Sequence, residues 1–236
     1  MNSKINLLFG IGVLAILFGL TSCYTEDPGP LQEAEKQFSI VDFDRLEMGS
    51  AFIIDVEQGN FFTVEARGDR RNIDDLKVYK DGNTLVVRYD DNHNRRHDTF
   101  ITITMPSLRA VNFSGASNSR ISGFAGEELD FYLSGASLSQ LDVDADEINL
   151  VISGASNLTL TGSGTELKSE ISGASLLNSF NYTVNEAKVS ASGASKAHVY
   201  AADELDAVAS GASVIYYKGS PNVSSSVSGA SSVVKF

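Results

Sequence analysis

From residue 128 to the last residue the chain alternates apolar and polar positions in short blocks that return at a nearly constant interval. Leu129, Phe131 and Leu133 form the first block, then Ile148, Leu150 and Ile152, then Leu167, Ser169 and Ile171. Ala187, Val189 and Ala191 follow, then Leu205, Ala207 and Ala209, then Val223, Ser225 and Val227. Asp130, Asn149, Lys168, Lys188, Asp206 and Ser224 sit inside the blocks and read as outward positions. A period of two is the mark of a strand with one buried face, and no helical period is visible in this region.

Each block runs into the tetrapeptide Ser-Gly-Ala-Ser. Seven copies begin at Ser114, Ser134, Ser153, Ser172, Ser192, Ser210 and Ser228, with steps of 20, 19, 19, 20, 18 and 18 residues. A fixed motif at a near-fixed period marks a repeat in which each unit stacks on the next. Two strands per period and no helix predict a β-solenoid, its coils about 4.8 Å apart. Parallel crossovers favour a right-handed winding. Glycine at a corner can take a positive φ, and alanine keeps the corner narrow. Strand parity points the glycine and the second serine inward, unless the corner resets the phase. The serines are expected to form hydroxyl ladders from coil to coil. A catalytic Gly-x-Ser reading fails, because a nucleophile is needed once and beside a base.

Residues 38–108 read as shorter strands: Phe38–Phe43, Phe52–Val56, Phe61–Ala66, Leu76–Lys80, Thr84–Tyr89 and Thr99–Thr104. Asp81-Gly82-Asn83 is a hairpin cue. Residues 90–98 form a charged loop in which His93 and His97, four apart, read as solvated. These N-terminal strands are expected to cover one end of the stack, since sheet edges must be covered. At the other end Val233, Val234 and Phe236 are expected to lie exposed, which makes the C-terminal coil a candidate surface for self-association.

Ahead of the strands, Lys4 precedes an apolar run from Ile5 to Leu20, which ends in Leu20-Thr21-Ser22-Cys23. That run is short for a spanning helix, and it resembles a bacterial lipobox whose cysteine carries the lipid. Residues 1–22 are thus expected to be a lipoprotein signal peptide, and residues 23–37 a lipidated cysteine with a flexible tether. Residues 38–236 are expected to form the β-helix domain, with regular repeats from 109. Cys23 is the sole cysteine, so the fold must hold without disulfides. The formal net charge of −12 repels nucleic acid.

Two columns are candidate sites. Glu128, Glu147, Glu166, Glu186 and Glu204 recur six residues before the tetrapeptide and would stack into an acidic row, a candidate for hard cations if it is more than solvated turn acids. Tyr200, Tyr216 and Tyr217 are candidates for an aromatic platform under a sugar ligand. No cofactor is indicated.

The lipobox, Phe61-Phe62-Thr63-Val64-Glu65-Ala66, Leu85-Val86-Val87, the run Ile101–Leu108 and the Ser-Gly-Ala-Ser repeats together resemble the "putative auto-transporter adhesin, head GIN domain" family, common in Bacteroidetes. That resemblance covers residues 38–236. It implies an all-β fold, a single-stranded right-handed parallel β-helix of about 19-residue coils. This fold is similar to pectin lyases but lacks their catalytic residues. The implied role is adhesion by an outer-membrane lipoprotein, facing the cell surface or the periplasm. Its partners would be the membrane, through Cys23, and a protein or glycan ligand. Glu26 and Asp27 resemble a surface-export signal of such lipoproteins. No translocating barrel segment is visible. The rival readings are a structural or assembly subunit of the envelope and, behind it, a carbohydrate-active enzyme on the same scaffold.

Overall fold

Period-two sequence becomes a stack of parallel coils. The computed structural model describes residues 29–91 and 95–236, so Cys23 and the signal segment lie outside the described residues. The N-terminal part contains β1 (Glu33–Gln37), β2 (Arg45–Met48), β3 (Phe52–Gln58), β4 (Thr63–Asp69), α1 (Arg70–Asp74), β5 (Leu76–Asp81), β6 (Thr84–Tyr89), β7 (Thr99–Met105) and β8 (Ala110–Phe113). The repeats contribute β9 (Asn118–Leu133), β10 (Leu138–Ile152), β11 (Asn157–Ser163), β12 (Glu166–Ile171), β13 (Leu176–Ala191), β14 (Lys196–Ala209), β15 (Val214–Lys218), β16 (Asn222–Val227) and β17 (Ser232–Lys235). Each coil leaves a Ser-Gly-Ala-Ser corner on a first arm, bends near the recurring glutamate, and returns on a second arm. All pairings among β8 to β17 are parallel and join like arms: Ile148 lies opposite both Leu129 and Leu167. The chain is a β-solenoid.

The apolar blocks face inward. Leu129, Phe131, Leu133, Ile148, Leu150, Ile152, Leu167 and Ile171 are all buried. Each large side chain removed from water contributes about 1.5–3 kcal/mol. The interior tapers: Phe113 and Phe131 fill the early coils, while Ala197, Ala201, Ala207 and Ala209 line the coil from Ser192 to Ser210, where the repeat shortens to 18 residues. Smaller interiors need less chain to surround them.

At the corners the main chain itself is stacked. The Ala155 N–H donates to the Gly135 carbonyl, and the Ala174 and Ala194 N–H groups donate to those of Gly154 and Gly173, each at 2.8 Å. Every repeat glycine has φ between +73° and +83°. A Cβ on Gly154 would stand 2.2 Å from the Gly135 oxygen, and one on Gly173 would stand 2.3 Å from the Gly154 oxygen. Conformation and close approach therefore both demand glycine.

Two expectations about the corner need correction. Glycine and alanine face outward, because the positive φ breaks the alternation for two residues; only the second serine stays inward and buried. Nor do the serines form a continuous ladder. The Ser117 hydroxyl reaches Ser137 Oγ at 3.0 Å, but Ser137, Ser195 and Ser213 donate to the carbonyl of the first serine of their own corner, at 3.0, 2.8 and 2.9 Å. A carbonyl three residues back is nearer than a hydroxyl one coil away, so the hydroxyl closes its own turn.

The N-terminal end is interleaved. β2 pairs in parallel with both β6 and β8, and β3 with both β7 and β9, so the first coil in sequence lies inside the stack. Ser50, at φ 99°, takes the corner place that glycine holds in the repeats. Antiparallel strands then cover this end: β5 on β6, β4 on β7, and β1 on β4. Here the expected boundaries shift. Phe38–Phe43 is not a strand, since Asp42 turns the chain at φ 61°. Glu33–Gln37, expected within the tether, is β1, recruited by the open edge of β4 through main-chain bonds that leave no mark on side-chain pattern. Asp69 fixes this cap. Buried, it receives the N–H groups of Gln32 (3.1 Å) and Arg71 (3.0 Å) and the Arg71 side chain (2.7 Å to Nε). The hydrogen-bonded Arg71 side chain holds its carboxyl well below the usual range, against the opposing effect of burial.

Gly154→Ala is expected to destabilise by about 3 kcal/mol, combining left-handed strain with overpacking. Gly229→Ala in the last coil costs about 1–2 kcal/mol, because that coil can shift outward. Gly126→Ala, whose Cβ meets nothing within 4 Å, is expected to lie within about 0.5 kcal/mol of wild type. Thermal melts check the order. The folded pKa of Asp69 is depressed, so its contribution is complete above the unfolded carboxyl range and is lost as pH falls through and below it. Asp69→Asn should cost about 2 kcal/mol at pH 7 and flatten the fall of Tm on acidification.

Candidate functional site

The first-arm outward column runs Arg120, Gln140, Thr159, Asn178, His198, Tyr216 and Val234, each in register with the next. At its C-terminal end one irregularity builds a cluster. Between β13 and β14 the pairing passes from Ser179 opposite Val199 to Thr183 opposite Tyr200, so Phe180, Asn181 and Tyr182 are extra residues. The bulge sends Tyr182 inward and Phe180 outward. Tyr182 is fully buried and donates its hydroxyl to the Ala145 carbonyl at 2.8 Å. Burial pushes its pKa up to about 12.

Phe180 stacks on His198, with ring centres 4.9 Å apart and planes 18° from parallel. His198 in turn lies 5.2 Å from Tyr216, and Phe236 stands 5.0 Å from Phe180 and 6.4 Å from Tyr216. The Lys218 ammonium sits 4.3 Å from the centre of the Phe180 ring and 5.1 Å from that of Phe236. Burial, then the charges of Lys196 and Lys218, push the His198 imidazole down, so it is neutral at pH 7. Of the three candidate tyrosines only Tyr216 belongs to the cluster. Tyr217 packs partly against the core, and Tyr200 lies in register beside Lys218. Sequence reading missed Phe180, His198 and Lys218, and placed Phe236 only on a candidate surface for self-association. The 18-residue step from His198 to Tyr216 was a readable signal; the bulge that brings in Phe180 was not.

Glu128, Glu147, Glu166, Glu186 and Glu204 do stack in register on consecutive coils, ending opposite Asn222. Lysines from the neighbouring column close part of the row. Lys168 reaches Glu147 at 2.6 Å and Glu166 at 3.2 Å, and Lys188 reaches Glu166 at 2.7 Å. Hydrogen bonds from Lys188 and then Lys168 hold the Glu166 carboxyl below its ordinary value. Among the described residues no group of three His, Cys, Asp or Glu side chains is placed to hold a metal ion. His97 lies 3.2 Å from the Gly29 carbonyl, and His93 falls outside the described residues.

The model of the family described as "Putative auto-transporter adhesin, head GIN domain" matches residues 42–221. The chain belongs to this family. No curated protein matches it. Solved structures do. A "putative adhesin" of Bacteroides fragilis superposes with a TM-score of 0.79 at 21% identity, over 87% of this chain and 97% of that one. A "putative adhesin" of Parabacteroides distasonis gives 0.71 at 20% identity, over 88% and 98%. A "putative lipid binding protein" of the same species gives 0.69 at 18%, over 86% and 96%. At these identities the likeness is one of fold. This head GIN domain thus shares a solenoid with proteins described in different terms, and its ligand chemistry must be read from its own outward columns. Among the described residues no helix is long and apolar enough to cross a membrane.

Lys168→Met leaves Glu147 and Glu166 facing each other with one fewer cation. The variant is expected to melt below wild type at pH 7 in low salt. Added salt should narrow the gap by screening. Acidification through the carboxylate range should close it as the glutamates protonate.

Proposed function

We propose that this chain is a non-catalytic cell-envelope lipoprotein, held in the outer membrane by a lipid on Cys23, whose solenoid presents a binding face for a glycan or protein ligand. The observation that carries the reading is the ring-and-lysine cluster of Phe180, His198, Tyr216, Lys218 and Phe236 on the outer face of the coils, with Phe236 exposed and the rest half-buried. Its parts suit recognition: ring faces for stacking and an ammonium for an oxygen ligand. Among the described residues nothing comparable points to catalysis. The buried corner serines donate to carbonyls rather than to a base. The membership in a family of adhesins supports the same reading, as does the lipobox.

Full-length protein in detergent, applied to an array of glycans and matrix proteins with and without calcium, tests this. Saturable binding that survives chelation is expected, because lysines already occupy Glu147 and Glu166. Binding that requires calcium would return the acidic column to candidacy. No binding at all would remove the adhesive role. Cys23→Ala is expected to abolish acylation by mass spectrometry and to release the protein from the membrane fraction.

A second reading rests on the last coil. Val223, Val227, Val234 and Phe236 are 40%, 47%, 39% and 72% exposed, and the outer edges of β16 and β17 pair with no strand among the described residues. Such edges template association. An assembly subunit that docks through this coil would show a concentration-dependent mass in light scattering.

A further inference from the structure

We infer that the ring-and-lysine cluster recognises acidic sugars, the carboxylate taken by Lys218 and the sugar face by the rings. This rests on the ligand-presenting role proposed above and names its chemistry.

Charge favours an anionic ligand here. The chain carries a formal net charge of −12. The outward lysines of the middle coils, Lys168 and Lys188, are neutralised by glutamates. Lys218 lies over the rings and Lys196 acts on His198 beside them, and neither forms an ion pair with a carboxylate among the described residues. Lys218 is instead held by two ring faces. That contact fixes the ammonium without cancelling its charge, so the positive charge stays available to a ligand. On a strongly acidic protein this is a local reversal of sign, which favours an anion at this place.

The groups beside that charge suit a sugar. Phe236 is 72% exposed, and Phe180 and Tyr216 are half-buried, so the cluster offers flat apolar area beside the ammonium. The neutral His198 ring and the Tyr216 hydroxyl add hydrogen-bonding groups that carry no charge. A carboxylated pyranose combines an apolar C–H face, several hydroxyls and one anionic group, and it uses all three features. A bare polyanion uses only the ammonium.

The outward column extends the surface beyond the cluster. Along the same outward column, towards the N-terminal end, lies a shallow groove of about 180 Å³ lined by Arg120, Gln140, Asp142, Thr159 and Thr161. Thr161 donates to Asp142 at 2.9 Å. Hydroxyl, amide and charged groups spaced at the coil repeat suit further sugar units of the same chain better than an acidic peptide, whose main chain would seek a strand edge.

The test uses full-length protein in detergent, titrated with oligogalacturonate and with the same oligosaccharide after reduction of its carboxyl groups. Wild type is expected to bind the acidic form at least about tenfold more tightly, the scale of one hydrogen bond to a charged group. Lys218→Gln should lose that preference, weakening binding of the acidic form far more than that of the reduced form. Tyr216→Leu, which keeps an apolar side chain on the sheet, should weaken both forms. Melting curves confirm that each variant is folded. Equal affinity for the two forms, or an unaltered Lys218→Gln, overturns the assignment while leaving a neutral-sugar adhesin intact. Equal binding of polyglutamate, polyphosphate or phosphatidylglycerol vesicles also overturns it, because charge alone would then explain the site. Binding to matrix proteins with no sugar bound overturns this inference and spares the broader role. No binding to any probe overturns both.

Discussion

The contact on which the rest of this molecule depends is the hydrogen bond from the alanine of one corner to the glycine carbonyl of the corner before. It recurs at every step from Ala136 to Ala230 with donor–acceptor distances of 2.7–2.8 Å. A solenoid must turn its chain once or more per coil, and a turn ordinarily leaves main-chain groups unpaired. Here the turn is itself part of the ladder, so the parallel pairing continues around the bend. The condition is that successive corners approach so closely that no Cβ fits on the glycine. This explains why the motif repeats so faithfully while the arms between corners vary. The arms need only alternate; the corners must be identical to stack.

Once the corners fix the register, everything on the arms falls into columns. Inward columns build the core, tapering from phenylalanine in the early coils to alanine in the later ones. Outward columns bring together residues 18 to 20 apart and make electrostatics a matter of rows. Five glutamates in one row would repel one another, and Lys168 and Lys188, two residues along on the same face, relieve the middle of it. The aromatic cluster arises from the same rule with one departure. His198 and Tyr216 meet because they are one coil apart. Phe180 joins them because three extra residues in β13 leave the ladder, one to fill the core and one to cover the surface.

Most of the repeat region was legible from sequence, for a physical reason. Period-two alternation and a constant step are direct images of a strand and a coil, so the β-solenoid, its inward residues and the acidic column could all be read before any coordinates. What could not be read depends on the main chain or on space rather than on pattern. β1 has no buried face of its own and exists because β4 offers an edge. The insertion of β2 and β3 between later strands is a matter of topology. The glycine faces outward because a positive φ upsets parity, and the serine hydroxyls choose a carbonyl three residues back over a hydroxyl one coil away. At the candidate site the period pointed to Tyr216 but not to Phe180 or Lys218. A bulge has no periodicity, and a lysine over two rings looks in sequence like any surface lysine.

Hydrogen exchange at the corner alanines tests the central claim most directly. Ala155, Ala174 and Ala194 are exposed residues in turns, and turns of this kind usually exchange fast. If the corner ladder carries the stack, their amide protons should be protected as strongly as those of the adjoining strands, with protection falling only towards Ala230 at the last coil. Fast exchange at Ala155, Ala174 and Ala194 beside slow exchange in the arms would contradict the account, because the arms alone would then hold the coils together.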